Sequence, residues 1–382
     1  MEKPEFTIAI VAGEDSGDLL GADLIQQLNN LNTKINFIGV GGTKMEDAGL
    51  KLISSNKEFA IMGIAEVFKK LPKLLKLRKF ITQRIITEKP DLFIGIDAPD
   101  LNFPIEKKLK NQGIKIIHYV SPSIWAWRPK RAIWISQLTD LVLTLFPFEP
   151  DYYKSNGGNA QFVGHPLAQQ IELEVNKKQA KQYLKLDVDK PTLAILPGSR
   201  TNELKAHTDI FIKTAIKFKE NNPEVQIISA NTNDAKIRYI QECANKNNLP
   251  IKLYKDATQV LKAADFALLA SGTVALEAML SKTPMVVGYK ISKITYGIVK
   301  SFNMMLLPYY SLPNVLYGDF LVPEVLQNNM TVDNLFSALN SIAETQNKLN
   351  LKNEFTRLHQ DLLSPDMNAA IAVQAFLTKC QS

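Results

Sequence analysis

Phe6-Thr7-Ile8-Ala9-Ile10-Val11-Ala12-Gly13-Glu14-Asp15-Ser16-Gly17-Asp18 is the stretch whose reading decides the fold. Residues 6–12 form a short apolar run rich in isoleucine and valine, which reads as a strand buried on both faces. Two glycines then allow a tight turn, and a helical pattern over residues 19–28 follows. Strand, glycine turn and helix in that order make the first half of a parallel crossover unit.

The same alternation continues outward from this unit. Residues 36–40, 92–96, 115–120 and 141–146 read as further buried strands, each bounded by Gly, Pro or Asp. After a polar stretch over residues 172–190 the pattern restarts, with strands expected at 192–196, 225–230, 251–254, 266–270 and 285–289. A chain of 382 residues is long for one core. Two doubly wound parallel sheets follow, with a linker near 167–190 and ligands beyond the carboxyl ends of the strands, in a cleft between facing domains. The expected domains are 1–167 and 190–345. A helical segment over 353–377, within a tail at 353–382, is read as packing back on the first domain.

Composition narrows the class. Hydrophobic residues at 46% and charged residues at 22% describe an ordinary globular chain. A net charge of +7 favours anionic partners without choosing among nucleotide phosphates, nucleic acid and acidic lipid. Cys243 and Cys380 lie far apart and form no metal spacing, so a reducing, cytosolic setting is expected. No signal peptide is read at the start of the sequence, and no apolar run approaches the roughly 20 residues that span a bilayer. Any membrane contact is expected to be peripheral.

The chemistry is expected in the loops after the strands. Glu14 and Ser16 lie in the first, where a helix N-terminus offers unpaired N–H groups to a polar ligand. No Gly-Lys-Ser/Thr follows and no G-x-G-x-x-G is present, so neither a P-loop nor a dehydrogenase fingerprint is read. Asp97, in Gly95-Ile96-Asp97-Ala98-Pro99-Asp100, is placed for general-base work at a buried strand end. Asp100 competes for the role, or caps the following helix. The segment 118–131 gathers Trp125, Trp127, Arg128, Lys130 and Arg131, aromatic plates beside cations that suit a sugar and a phosphate or else a packed corner. In the second half Gly198, Ser199 and Arg200 open one helix, and Ser271, Gly272 and Thr273 open another. Paired loops of this kind in one domain point to a nucleoside diphosphate. Glu277, one turn into the second helix, is placed for ribose hydroxyls. Asn314 reads from the residues alone as a turn residue or a ligand contact.

Other features carry less. Asp187-Val188-Asp189 has a metal-like spacing but lies in the polar linker, and the four histidines are scattered. His118 reads as a core residue, and His165 as a neighbour of the cleft. Neither a metal nor a cofactor is expected. Val67, Leu71, Leu74, Leu77, Ile81 and Ile85 recur at helical spacing, surrounded by Lys73, Lys76 and further cations. This suits an anionic bilayer surface, or a core-facing helix with a solvated basic side. Pro72 is expected in its first turn. Residues 289–316 are a second apolar candidate.

The stretches AGEDSGD at 12–18, GIDAPDLN at 95–102, HYVSPSIWAWRPKR at 118–131, LPGSR at 196–200, LLASGTVALEAML at 268–280, PMVVGYK at 284–290 and SLPN at 311–314 resemble the lipid-A-disaccharide synthase family. The resemblance implies a GT-B fold of two Rossmann-like domains facing across a cleft. It implies inverting transfer from UDP-2,3-diacylglucosamine to 2,3-diacylglucosamine 1-phosphate, giving a β-1,6 disaccharide phosphate and UDP. Asp97 would be the base. Glu14, Ser16, Gly198, Ser199, Arg200, Ser271, Gly272, Thr273, Glu277 and Asn314 would hold the UDP-sugar. Trp125, Trp127, Arg128, Lys73 and Lys76 would meet the acceptor or lipid. The site would be cytoplasmic and peripheral on the inner membrane of a Gram-negative bacterium. No nucleic-acid partner is expected, and a homo-oligomer is left open. The alternatives are another GT-B enzyme, such as a UDP-N-acetylglucosamine transferase or 2-epimerase, and a non-catalytic nucleotide-sugar- or lipid-binding protein.

Overall fold

The computed structural model describes residues 5–31, 34–60, 67–127, 130–291, 308–364 and 366–381. The chain divides into two compact units, Met1–Pro166 with Ser364–Ser382, and Leu167–Leu363.

The first unit holds seven strands: β1 (Glu5–Ala12), β2 (Lys34–Gly41), β3 (Lys51–Ser55), β4 (Leu92–Ile96), β5 (Lys115–Tyr119), β6 (Leu141–Thr144) and β7 (Ala160–Phe162). They form one parallel sheet in the order β3-β2-β1-β4-β5-β6-β7. Alternate residues of β1 face opposite layers, as the period of two demands. Ile8 and Ile10 pack with Leu24 and Ile25 of the Asp15–Asn30 helix and with Val373 of the Ala369–Gln381 helix. Ala9 and Val11 pack with Ile81 and Ile85 of the Val67–Glu88 helix and with Ile105 and Leu109 of the Pro99–Lys110 helix. Each fully buried isoleucine contributes roughly 1.5–3 kcal/mol, so covering both faces explains why β1 carries almost no polar residue. Ala12 is level with Ile96 in the pairing of β1 with β4, which brings the loops after these two strands side by side.

The second unit holds β8 (Thr192–Leu196), β9 (Gln226–Ala230), β10 (Lys252–Tyr254), β11 (Phe266–Leu269), β12 (Met285–Tyr289) and β13 (Glu324–Leu326). Their parallel sheet has the order β10-β9-β8-β11-β12-β13. The polar stretch expected as a linker carries the Lys177–Tyr183 helix, capped by the Asn176 side chain, which accepts the Gln179 N–H at 3.1 Å. Lys177 and Lys181 tie that helix to Asp265, just before β11, at 2.8 and 3.0 Å.

The segment expected as one helix over 353–377 is two. Thr345–Leu362 belongs to the second unit, and Ala369–Gln381 packs on the Asp15–Asn30 helix of the first. Among the described residues no helix is long and apolar enough to cross a membrane.

Candidate active site

In the first unit, the loop after β1 lies against the turn after β4. A Cβ on Gly13 would come 2.8 Å from Leu101 Cδ2 and 3.4 Å from Ala98 Cβ, so the close approach depends on glycine. Glu14, Asp15 and Ser16 are exposed, whereas Asp18 is buried. The Asp18 carboxylate accepts the N–H groups of Gly42, Lys44 and Met45 at 2.6, 3.2 and 3.1 Å, capping the Thr43–Asp47 helix. The AGEDSGD motif therefore splits into a ligand-accessible part and a structural part.

Asp97 and Ala98 both take left-handed backbone angles, φ +49° and +41°. Two such residues in succession, neither glycine, mark a held and strained turn. Asp97 is half-buried, and its N–H donates to the Tyr119 carbonyl at 2.8 Å. Asp100 is exposed in the first turn of the Pro99–Lys110 helix. On the neighbouring strand end Val120 has φ +79°, an outlier for a β-branched residue.

In the tryptophan loop Trp125 takes the packed-corner alternative. Trp125 is 8% exposed, meets the Phe148 ring edge-on at 5.6 Å, and donates its indole N–H to Glu149 Oε1 at 3.2 Å. It is an anchor inside this unit rather than an open plate for a sugar. The side chain of Trp127 and all of Arg128 lie outside the described residues. Glu149 was missed by sequence reasoning. It is 2% exposed, and its Oε2 accepts the N–H groups of Leu145 and Phe146 at 3.2 and 3.1 Å. Burial pushes its carboxyl up to about 7 against the pull of those donors and of Trp125. His165 is buried beside Phe146, and burial lowers it to about 4.

The Val67–Glu88 helix buries Ile81 and Ile85 and exposes Lys73, Lys76 and Lys79 together with Leu75 and Phe80. Pro72 is its sixth residue, beyond the first turn where a proline is tolerated without loss, and removes one main-chain donor there. The side chains of Val67, Lys69, Lys70 and Leu71 lie outside the described residues, as do residues 292–307 of the second apolar candidate.

In the second unit, a cavity of about 290 Å³ opens at the carboxyl ends of β8 and β11. Gly198, Ser199, Arg200, Ser271, Gly272, Thr273 and Glu277 all line it, so the structure brings the two expected loops together. Gly198 has φ +125°, and a Cβ there would fall 2.6 Å from Glu203 Cβ. Glu203 accepts the N–H groups of Ser199 and Arg200 at 3.0 and 3.1 Å and pairs with Arg200 Nη1 at 3.1 Å. The Arg200 side chain is otherwise 81% exposed, a charged fork available to phosphate. The Thr273–Leu280 helix starts at the cavity wall. Glu277 is raised by burial, and its Oε2 accepts the Thr258 hydroxyl at 3.2 Å. Asn231 also lines the cavity and donates to the Gly198 carbonyl at 3.3 Å. Nothing in its local sequence marked it.

Asn314 takes the turn role that the residues alone left open. It is fully buried, donates to the Val322 carbonyl and Glu324 Oε1 at 3.0 and 2.8 Å, and accepts the N–H groups of Leu321 and Val322 at 2.9 and 2.8 Å. An amide side chain has two donors and two acceptor positions, and all four are engaged within the chain. Asn314 is a strut for the Leu312–Tyr317 helix.

The family model described as Lipid-A-disaccharide synthetase matches residues 8–374. The lipid-A-disaccharide synthase of Haemophilus influenzae (strain PittGG) is 44% identical over 382 residues, spanning 98% of this chain and 97% of the relative. That of Xanthomonas campestris pv. campestris (strain 8004) is 42% identical over 378 residues, spanning 97% and 86%. Among solved structures, the calicheamicin glycosyltransferase superposes with TM-score 0.62 at 14% identity, covering 99% of this chain and all of that one. The UDP-GlcNAc 2-epimerase of Neisseria meningitidis superposes with TM-score 0.58 at 12% identity, covering 98% and 100%. These structural likenesses show the fold, that of the GT-B glycosyltransferases, and the relatives show the rest: the chain belongs to the lipid-A-disaccharide synthase family.

Proposed function

We propose that this glycosyltransferase of lipid A biosynthesis joins UDP-2,3-diacylglucosamine to 2,3-diacylglucosamine 1-phosphate with inversion at the anomeric carbon. Asp97 removes the proton from the acceptor 6-hydroxyl as its oxygen bonds to the donor's anomeric carbon. The bond from that carbon to the UDP oxygen breaks, and UDP departs with the electron pair. One base suffices for inversion, and the proton then passes from Asp97 to solvent. The Arg200 guanidinium and the helix start at Ser271–Thr273 meet the charge that develops on the leaving diphosphate. Glu277 sits where it can accept from ribose hydroxyls.

The observation that carries this reading is the cavity walled by both phosphate-type loops, in a chain whose Asp97 is held half-buried at a strand end. Both proposed substrates carry acyl chains, which supports work at a membrane surface, and the family resemblance makes that surface the cytoplasmic face of the inner membrane. The exposed lysines and apolar side chains of the Val67–Glu88 helix support that placement. A UDP-release assay with acylated and non-acylated donors and acceptors tests the substrates. Release is expected only when both partners are acylated. Asp97→Ala is expected to lose most turnover while UDP still binds, and near-normal turnover would remove Asp97 as the base.

A further inference from the structure

Beneath the Asp97 turn lies a polar cluster to which the transfer reaction assigns no task. Asn102, Glu106 and His118 are each fully buried. Asn102 and Glu106 stand one turn apart on the same face of the Pro99–Lys110 helix, against Gly95 of β4. A Cβ on Gly95 would lie 2.3 Å from Glu106 Oε1 and 3.1 Å from Asn102 Cβ, so both side chains occupy the notch that glycine leaves. Gly95 is level with His118 on β5, and His118 Nδ1 lies 2.7 Å from Glu106 Oε1. This pairing fixes the helix against two strands at one register. It leaves Glu106 Oε2 and His118 Nε2 without partners among the described residues, a cost that a purely structural corner avoids with apolar side chains.

What this anchoring holds in place is Asn102. Its Nδ2 faces three main-chain carbonyl oxygens, those of Asp97 at 2.8 Å, Ile96 at 3.1 Å and Val11 at 3.3 Å. Only a donor fits there, so neither a carboxylate nor a methyl group can replace it in kind. On the far side of the turn, the N–H groups of Leu101 and Asn102 hold the Ala98 carbonyl at 2.9 and 3.0 Å. Asp97 and Ala98 are therefore kept in their left-handed conformation from both ends, and the Asp97 side chain leaves the backbone in the direction this conformation dictates. We propose that Asn102 is the positioning residue of the base: it acts on the reaction only through Asp97. The inference rests on the reading of Asp97 given above.

The test is a cycle of full-length variants in the UDP-release assay: Asn102→Ala, Asn102→Asp, Asp97→Ala and the Asp97→Ala/Asn102→Ala double variant. Misplacing a catalytic group by about an ångström costs on the order of 100-fold. Asn102→Ala is accordingly expected to lower kcat about 30- to 100-fold, with donor KM and UDP affinity within about twofold of wild type. Asn102→Asp, close in shape but without the donor, should lose at least as much. In the Asp97→Ala background the Asn102 substitution should change the residual rate less than about twofold, because the group it positions is gone. A kcat for Asn102→Ala within about threefold of wild type would overturn the proposal. So would an equal loss in both backgrounds, which would mark a general packing defect. Near-normal turnover of Asp97→Ala overturns the base reading first, and this inference with it. If Asn102→Ala does not fold, Asn102→Ser keeps a hydroxyl donor and enters the same cycle with a smaller expected loss.

Discussion

Glu149→Gln should change how the stability of the first unit depends on pH. In the wild type a carboxyl with an ordinary value of 4.5 is pushed up to about 7 by burial. The folded unit thus holds this proton more tightly than the unfolded chain does. Its stability is at full strength below about pH 4.5 and falls as pH rises, by about 1.4 kcal/mol per pH unit. The fall ends near pH 7, after a loss of about 3 kcal/mol. At 2% exposure solvent screens little of this. Glutamine cannot ionise, so the variant lacks the fall altogether. With its carbonyl oxygen kept on the Leu145 and Phe146 N–H groups, its NH2 opposes the Trp125 indole N–H, a pH-independent penalty of roughly 1–3 kcal/mol. The slope, not the absolute stability, is therefore diagnostic. All three tryptophans, Trp125, Trp127 and Trp134, belong to the first unit, so their fluorescence follows its unfolding in urea. Measured from about pH 5 to pH 8, wild type should lose about 2.5 kcal/mol relative to the variant. Parallel curves would show that burial does not hold the Glu149 proton, and the account of the tryptophan loop's anchor would fail.

Arg200→Ala should weaken UDP binding about tenfold by calorimetry, the worth of one charge-assisted hydrogen bond, while leaving the melting temperature unchanged because its side chain is 81% exposed. Unchanged UDP affinity would take Arg200 out of the site. Lys73→Glu with Lys76→Glu should abolish most cosedimentation with anionic vesicles in low salt, at roughly 1 kcal/mol per cation removed. Equal sedimentation of variant and wild type would move the membrane contact away from this helix.

The sequence made the centre of each sheet legible and lost three of the four edge strands, β10 being the one it reached. β4, β8 and β12 run over the residues expected of them. β3, β7 and β13 were not read at all, and each is an edge strand of its sheet. The reason is physical. A central strand is covered on both faces and must be apolar throughout, whereas an edge strand is short and partly wet, as the burial of Lys51–Ser55 and Ala160–Phe162 shows. The loops that follow central strands were found for the same reason, since they are fixed by the strands they end. Residue type alone did not say which way a loop side chain points. The residues left Trp125 as a sugar plate or a packed corner and Asn314 as a turn residue or a ligand contact, and both side chains turn inward to a glutamate of the chain.

Those inward partners form a pattern that separates structural turns from ligand sites. Every helix start has N–H groups that the helix itself cannot satisfy. Asp18 takes up those of Gly42, Lys44 and Met45, and Glu149 takes up the N–H groups of Leu145 and Phe146 in the turn that leads into its own helix. Glu203 takes up those of Ser199 and Arg200, and Glu324 those of Tyr310 and Ser311. At these four turns a carboxylate of the chain already stands where an anion would. The turn at Ser271–Thr273 differs, for among the described residues no carboxylate accepts from its N–H groups. The two loops that looked equivalent in sequence are thus unequal. A phosphate at the Ser199 and Arg200 N–H groups would have to displace the Glu203 carboxylate and then sit beside it, with like charges in contact. A phosphate at Ser271–Thr273 meets open donors and a helix N-terminus. In the proposed reaction the diphosphate is therefore expected at the second loop, with the first contributing the Arg200 side chain, which the same Glu203 that closes its backbone holds at the cavity wall.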